Sequence, residues 1–431
     1  MSTNRTMAAS HAATVGRLPF PVGGTPWPEV RVELDEAREG DYSWREGRMP
    51  LYIYWLDDQL EEVAKEASSM FYMENGLGRR AFPSVQRLQS QVIEMALSLF
   101  NAPDGAGGSF TSGGTESIFQ AVHTARGLWE EKHSGPDVRP TIVTPNTAHP
   151  AFNKAAAYLK MDVLRIPVGP DFRADVAAMV QAIDKRTALI VGSAPAYPHG
   201  VFDPVRALSD AALASDVPLH VDACVGGFLN PFMKMNGEAI PDFDFLLPGV
   251  TSMSADIHKY GFSAKGASLV LYRDASLKRF QRFEFDDWPR GHYATETFLG
   301  TRPASPVASA WAVFHYLGTE GYRRIAGIVA ETAKKMRSGI DAIPELAVVQ
   351  PSESSFVLYE SCDPSVDINA VAEQLGGEGW FVGRSVVPPA IHFMVNPIHA
   401  KVMDRYLADV RKAVSHVKAG RLTASMDTRT Y

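Results

Sequence analysis

Between residues 139 and 225 the chain alternates short β-branched runs with longer stretches of helical spacing. PTIVTP, DVLRIPV, TALIVGSAP and PLHVDACVGG read as strands; AHPAFNKAAAYLK, VAAMVQAIDKR and VRALSDAALASD between them read as helices. Such alternation implies right-handed crossovers, hence a mostly parallel sheet with helices on both faces. Upstream, LDDQLEEVAKEASSMFYMEN sets Leu56, Leu60, Val63 and Ala67 on one helical side, with Asp57 and Asp58 at its start, where the helix dipole favours acids. A second helix begins at Ser84. Its stripe is Leu88, Val92, Met95, Ala96 and Leu99, and Pro103 stops it.

Past Arg273 the pattern changes. An irregular polar and aromatic stretch, DDWPRGHYATETFLGTRPASP, suits a loop that reaches a site, and a long apolar-striped helix follows it. Residues 346 to 415 then read β-β-α-β-α. The expected class is α/β with a small α+β carboxyl-terminal domain. The expected division is an arm and helix over 1–75, a large domain over 76–310 and a small one over 311–431. Residues 17 to 50 are rich in Pro, Gly and charge, which predicts an extended segment with one short helix near Val32–Arg38. The residues before them lack an apolar core of signal-peptide length and read as a mobile arm.

Composition narrows this without redirecting it. Hydrophobic residues make up 45% and charged residues 21% of 431, an ordinary soluble balance. A net charge of −7 and the lack of any basic run argue against a nucleic-acid partner. Cys224 and Cys362 have no metal-ligand spacing and give no disulfide framework. No apolar run is long enough to span a bilayer. The expected location is cytoplasmic.

The unusual residues fall at the ends of the strands. On an open parallel sheet, ligands bind at the carboxyl ends. Those ends carry His149, Ser193 and Asp222. Alternation along LHVDAC places His220 and Asp222 on one face, and a carboxylate in an apolar strand must be paired to be buried. Ser112, Gly113, Gly114 and Thr115 form a short turn opening a helix, where free N–H groups suit a phosphate. Lys259, in SADIHKYGFSAKG, stands just before a turn and the apolar strand ASLVLYR. Neighbouring aromatics there are expected to desolvate its amine and lower its pKa. Each feature alone has a bland explanation. Together they are a phosphate cradle, a ring-stacking histidine, a carboxylate for a protonated ring nitrogen and a nucleophilic amine, the groups that pyridoxal 5′-phosphate requires.

The segments TSGGTES, AHPAFNKAA, PHGVFDPV, PLHVDACVGGFL, GVTSMSADIHKYGFSAKGASLVLY and PPAIHF, in that order, resemble those of the sphingosine-1-phosphate lyase branch of the group II pyridoxal-phosphate decarboxylase family, in its soluble bacterial form. The resemblance runs from about residue 70 to 415. It implies the PLP-dependent transferase-like fold type I and a homodimer with active sites shared between subunits. It assigns the cofactor linkage to Lys259, the pyridine nitrogen to Asp222, ring stacking to His149, the phosphate to Gly113, Gly114, Thr115 and His258, and the ring hydroxyl to Ser193. Lys265 and Tyr293 match a second lysine and a loop tyrosine that assist catalysis. For the substrate it points to Tyr54 and Asn75. The chain departs from the pattern where Gly78 replaces an expected histidine. Arg79 and Arg80 follow it, and Arg384 adds a charge not expected there.

Two chemistries follow from these readings. One is retro-aldol cleavage of the Cα–Cβ bond of a β-hydroxy amine, giving an aldehyde and a small amine such as phosphoethanolamine. The other is decarboxylation or aldol cleavage of a carboxylated amino acid, with the arginines holding the carboxylate. A non-catalytic scaffold is the third, set against the presence of both Lys259 and Asp222.

Overall fold

A computed structural model describes residues 16–78, 80–133 and 138–420. The expected mobile arm therefore lies largely outside the described residues. The first helix, α1 (Trp27–Glu36), starts earlier than the sequence pattern predicts, because Pro26 and Pro28 suit a first turn. It buries none of its residues. Helix α2 (Asp58–Met70) is capped by Asp57, whose carboxylate accepts from the Leu60 N–H at 2.9 Å. Helix α3 (Pro83–Leu99) buries Val85, Leu88, Val92, Ile93, Ala96 and Leu97 and ends ahead of Asn101, which has a positive φ of 54°.

The large sheet is built from β1 (Gly107–Thr111), β2 (Thr141–Pro145), β3 (Asp162–Ile166), β4 (Thr187–Ser193), β5 (Leu219–Asp222), β6 (Val250–Ala255) and β7 (Ser268–Tyr272). Between them run α4 (Gly114–Lys132), α5 (Ala151–Tyr158), α6 (Val176–Gln181), α7 (Val205–Ser215) and α8 (Asn230–Met235). Strand order is β1-β7-β6-β5-β4-β2-β3. Strands β2 to β6 are parallel, and β7 runs antiparallel to both β6 and β1. Strands β2, β4, β5 and β7 are buried at every position, which is why they read as unbroken apolar runs. Alternate residues serve opposite faces: Leu189 and Val191 pack with Ile118 and Val122 of α4, whereas Ile190 joins the larger core on the other side. The sequence pattern takes SFTSGG as a turn. Its first half is instead the end of strand β1, whose glycines let Leu271 approach the backbone of Gly108.

The stretch expected to be irregular contains a small hairpin, β8 (Phe283–Phe285) with β9 (Tyr293–Thr295). Helix α9 (Ser305–Asp341) follows and is broken at Gly318, with φ 55° and ψ −177°. Then come β10 (Leu346–Val348), β11 (Phe356–Ser361), α10 (Ile368–Gly377), β12 (Gly383–Val386), β13 (Pro389–Met394) and α11 (Met403–Lys418). The four strands form an antiparallel sheet in the order β10-β11-β13-β12. Strand β12 is one more than the pattern predicts. It is four residues long and lies between Gly379 and Pro388, so it has no clear period of its own.

Candidate active site

Strand direction explains where the site lies. The carboxyl ends of β1, β4, β5 and β6 and the amino end of β7 share one edge of the sheet. That edge opens into a cleft of about 440 Å³, and Gly113, Gly114, Thr115, His149, Ser193, Asp222, His258, Lys259, Lys265 and Tyr54 all line it. With Ser112, eleven residues expected from the sequence to serve the cofactor or its substrate thus meet in one place.

Lys259 follows β6 in a tight turn, its N–H donating to the Asp256 carbonyl at 3.3 Å. Its Nζ lies 3.0 Å from Oδ2 of Asp256, a carboxylate only 2% exposed. Burial alone would lower the amine's pKa, but Asp256 outweighs it and holds the pKa above the ordinary lysine value. The expected lowering is therefore corrected for the cofactor-free chain, because the sequence reading overlooked this counter-ion. The alternation of Ser252 and Ser254 along β6, continued by Asp256 just past its end, was the available signal.

Asp222 ends β5. Its Oδ1 accepts from the Cys224 N–H at 3.0 Å and from the Ser254 hydroxyl at 3.3 Å, so both bonds engage one oxygen. Beneath it His220 is fully buried between the hydroxyls of Ser252 (2.9 Å) and Ser254 (3.1 Å). Burial pushes its pKa down to about 4. His149, in the loop after β2, accepts from the Ala151 N–H through Nδ1 at 3.1 Å. Burial lowers its pKa, which keeps the ring neutral with the proton on Nε2.

Where β1 gives way to α4, a Cβ on Gly114 would stand 2.8 Å from Asp256 Oδ2 and 2.9 Å from Cys224 Sγ. Only glycine permits this approach. Glu116 in the first turn of α4 accepts from the Ser112 N–H at 2.7 Å and from the Phe298 N–H at 2.9 Å, fixing the turn to the loop after β9. His258 accepts from the Ala267 N–H through Nδ1 at 3.2 Å and faces Asp256 Oδ2 with Nε2 at 3.7 Å. Its pKa too is lowered by burial.

Lys265 stands at the mouth of the cleft, still in reach of solvent. It donates to the carbonyls of Tyr52 (2.9 Å) and His258 (3.3 Å) and lies 5.2 Å over the Tyr54 ring. Its partial enclosure, and then the Lys259 charge, bring its amine down to about 8. Tyr54 donates to Met394 Sδ at 3.4 Å and meets Tyr260 edge-on.

Four expected residues lie outside the cleft, and Arg79 lies outside the described residues. Asn75 bridges to Pro303 and bonds Thr301 at 3.4 Å. Arg80 is exposed at the turn before α3. Tyr293 packs in the hairpin against Phe283 and Trp288. Arg384, on β12, lines a neighbouring chamber of about 940 Å³ and faces Glu373 at 4.0 Å. That chamber shares Tyr52, His149 and Tyr197 with the cleft. Tyr52, Tyr197, Asp256 and Met394 also line the cleft and were not singled out in the sequence.

The residues fit a phosphorylated aromatic aldehyde. The Ser193 Oγ is buried in the cleft wall with no hydrogen-bond partner among the described residues, an acceptor or donor waiting for a ring substituent. The close approach at Gly114 brings the start of α4, where free N–H groups suit an anion, to the cleft.

Fold and cleft together place this chain in the pyridoxal-dependent decarboxylase family, whose conserved-domain model matches residues 66–360. Within that family it belongs to the sphingosine-1-phosphate lyase branch, and it is a PLP-dependent lyase whose cofactor is pyridoxal 5′-phosphate. It is 38% identical over 399 residues to sphingosine-1-phosphate lyase of Arabidopsis thaliana, covering 91% of this chain and 72% of that one. It is 36% identical to sphingosine-1-phosphate lyase 1 of Mus musculus, covering 92% and 70%. The solved sphingosine-1-phosphate lyase of Burkholderia pseudomallei K96243 superposes with a TM-score of 0.89 at 36% identity, covering 95% of each chain. Glutamate decarboxylase of Lactobacillus brevis CGMCC 1306, 18% identical with a TM-score of 0.83, shares the fold. No helix among the described residues is long and apolar enough to cross a membrane.

Proposed function

We propose that the protein cleaves the Cα–Cβ bond of a phosphorylated β-hydroxy amine with an apolar tail, as its sphingosine-1-phosphate lyase relatives are named for doing. The observation that carries this is the chamber beside the cleft. Val168, Phe172, Phe381, Val382 and Val386 give it apolar walls, and it meets the cleft at His149, where a tail would leave the reacting carbon.

When bound, the cofactor supplies an electron sink for the pair released as the carbon–carbon bond breaks. This chain's residues do the rest. Lys259 would hold the cofactor covalently and then yield its place to the substrate amine. Asp222 would keep the ring nitrogen protonated. His149, neutral because it is buried, would stack on the ring. The first turn of α4 and His258 would hold the phosphate, and Ser193 would meet the ring hydroxyl. Lys265, with its amine at about 8, takes the β-hydroxyl proton near neutral pH.

We further assign a homodimer. Helix α1 buries nothing, and Leu18, Phe20, Trp27, Val32, Leu34, Phe283, Phe285 and Trp288 are exposed, more apolar surface than a monomer keeps. A partner subunit covering it would let Asn75, Arg80 and Tyr293 serve the other cleft. The three-part division at residues 75 and 310 and a cytoplasmic location complete the reading.

A second reading rests on Arg384 in the chamber wall, which suits a substrate carboxylate. Its proximity to Glu373 offsets that charge and favours the first reading. Mass spectrometry of products separates the two. The holoenzyme given a phosphorylated sphingoid base releases a fatty aldehyde and phosphoethanolamine. Carbon dioxide from an amino acid, without aldehyde from the lipid, would establish the second instead.

A further inference from the structure

Asp256 is buried between three functional groups, and the mechanism above does not use it. Its Oδ2 lies 3.0 Å from Lys259 Nζ and 3.7 Å from His258 Nε2. Its carboxylate presses against the backbone of Gly114, at the start of the phosphate-binding turn. Its Oδ1 is buried with no hydrogen-bond partner among the described residues. A carboxylate so placed is costly unless a cation faces it, and removing that cation would leave the charge uncompensated. Covalent attachment of the cofactor converts the Lys259 ammonium into a nitrogen that keeps one proton, so the pairing with Asp256 persists.

We propose that Asp256 is the positioning residue for cofactor loading: it fixes the Lys259 ammonium before the cofactor binds and holds its proton during attachment. The inference rests on Lys259 being the attachment residue. In the attaching step Nζ forms a double bond to the aldehyde carbon, and the aldehyde oxygen leaves as water. Of the three ammonium protons, two depart with that oxygen and one stays on nitrogen. One of the two must be off Nζ before its lone pair can attack. Asp256 Oδ2, at 3.0 Å, is the base in contact to hold that proton and return it to the departing oxygen.

The other ionisable groups near this pair are few. The turn after β6 supplies His258 and Lys265, β5 and its following turn supply Asp222 and Cys224, and the loop after β2 supplies His149. Glu116 of α4 is engaged by the Ser112 and Phe298 N–H groups. Asp256 is the acid in contact with Nζ, and the amine's raised pKa follows from it.

The test measures attachment itself, not turnover. Cofactor-free protein is mixed with pyridoxal 5′-phosphate across a pH series. The visible absorbance of the linked cofactor gives the rate, and borohydride trapping with peptide mass spectrometry identifies the lysine. Wild-type loading should quicken as pH rises. In Asp256→Asn the buried amine loses its counter-ion, so the midpoint should fall by about one pH unit or more, and Asp256→Glu should restore the wild-type profile. An Asp256→Asn profile identical to wild type, with Lys259 still labelled, would overturn the proposal and leave the lysine assignment standing. Trapping at another lysine would overturn both. Should Asp256→Asn not fold, competitive acetylation of the wild-type cofactor-free protein decides. Lys259 should react only at higher pH than surface lysines, and reaction at equal or lower pH would refute the role.

Discussion

The Tyr260 hydroxyl donates to the Val395 carbonyl at 2.6 Å, tying the residue after Lys259 to the end of β13. The Lys259-bearing turn of the large sheet is thereby fastened to the four-stranded sheet through a fully buried side chain. Tyr260→Phe keeps the ring but strands a buried carbonyl, at a cost of about 1–3 kcal/mol. A thermal melt should show the midpoint lower by a few degrees, and titration of the cofactor-free variant should show weaker pyridoxal phosphate binding. An unchanged melt would mean that the two sheets are held together elsewhere.

Lys259→Ala should abolish the visible absorbance of the lysine-linked cofactor and nearly all turnover, with the fold intact by circular dichroism. Lys265→Ala should leave that absorbance in place and lower kcat by about 10²–10⁴-fold, the usual worth of a general base.

Lys265 also sets an expected pH dependence. Its amine titrates at about 8 and acts when deprotonated, so wild-type kcat should climb as pH rises through that value. The climb should vanish in Lys265→Ala. A wild-type profile flat from pH 7 to 9 would remove this residue from proton transfer.

Gly114→Ala places a methyl group 2.8 Å from the Asp256 carboxylate and 2.9 Å from Cys224 Sγ, with no flexible chain end to yield. The first turn of α4 must then shift away from the lysine. Pyridoxal phosphate affinity should fall by about tenfold or more, a loss near 1.4 kcal/mol, as measured by equilibrium titration of the cofactor-free protein.

Acid should destabilise the protein before its carboxylates titrate. Burial lowers His220 and His392 to about 4 and His399 to about 3, below the unfolded value of 6.5. Below pH 6.5 the unfolded chain takes up protons that the native state refuses, so stability present above 6.5 is lost as pH falls. Each group contributes up to about 3 kcal/mol of that loss by pH 4. Asp203, raised by burial to about 6, acts in the opposite direction over part of the range but is one group against three. Melting temperatures should drop steeply between pH 6.5 and 4.5; a level profile there would contradict the burial of these rings.

Much of this site was readable because its residues break local patterns. Asp222 interrupts an apolar strand, the Ser112–Thr115 turn is rich in glycine, and Lys259 precedes a buried strand. Each anomaly is visible within ten residues. Asp256 was not, because in SMSADIHK a further polar residue among polar neighbours looks unremarkable; its burial comes from α4 and β7, which are distant in sequence. The direction of the Lys259 pKa was misread for the same reason. Strands β1 and β12 escaped because glycine and proline hide a two-residue period, and their strand character comes from pairing with β7 and β13. Tyr293 and Asn75 lie outside the cleft, and a local pattern does not tell which surface a residue faces.

The pairing of β1 with β7 acts as a gauge. Thr111 lies opposite Ser268, so the Ser112–Gly114 turn leaves one strand just where the lysine-bearing loop enters the other. A slip of one rung would carry Ser112–Gly114 about 3.4 Å along the sheet and turn alternate side chains to the wrong face. Gly108 guards against that slip, since any Cβ there would stand 2.5 Å from the Leu271 side chain. The span from the Ser112–Gly114 turn to the Lys259 nitrogen is thus set in whole backbone steps. An engineer seeking a cleft for a longer or shorter phosphorylated aldehyde would have to re-thread an edge strand by whole residues.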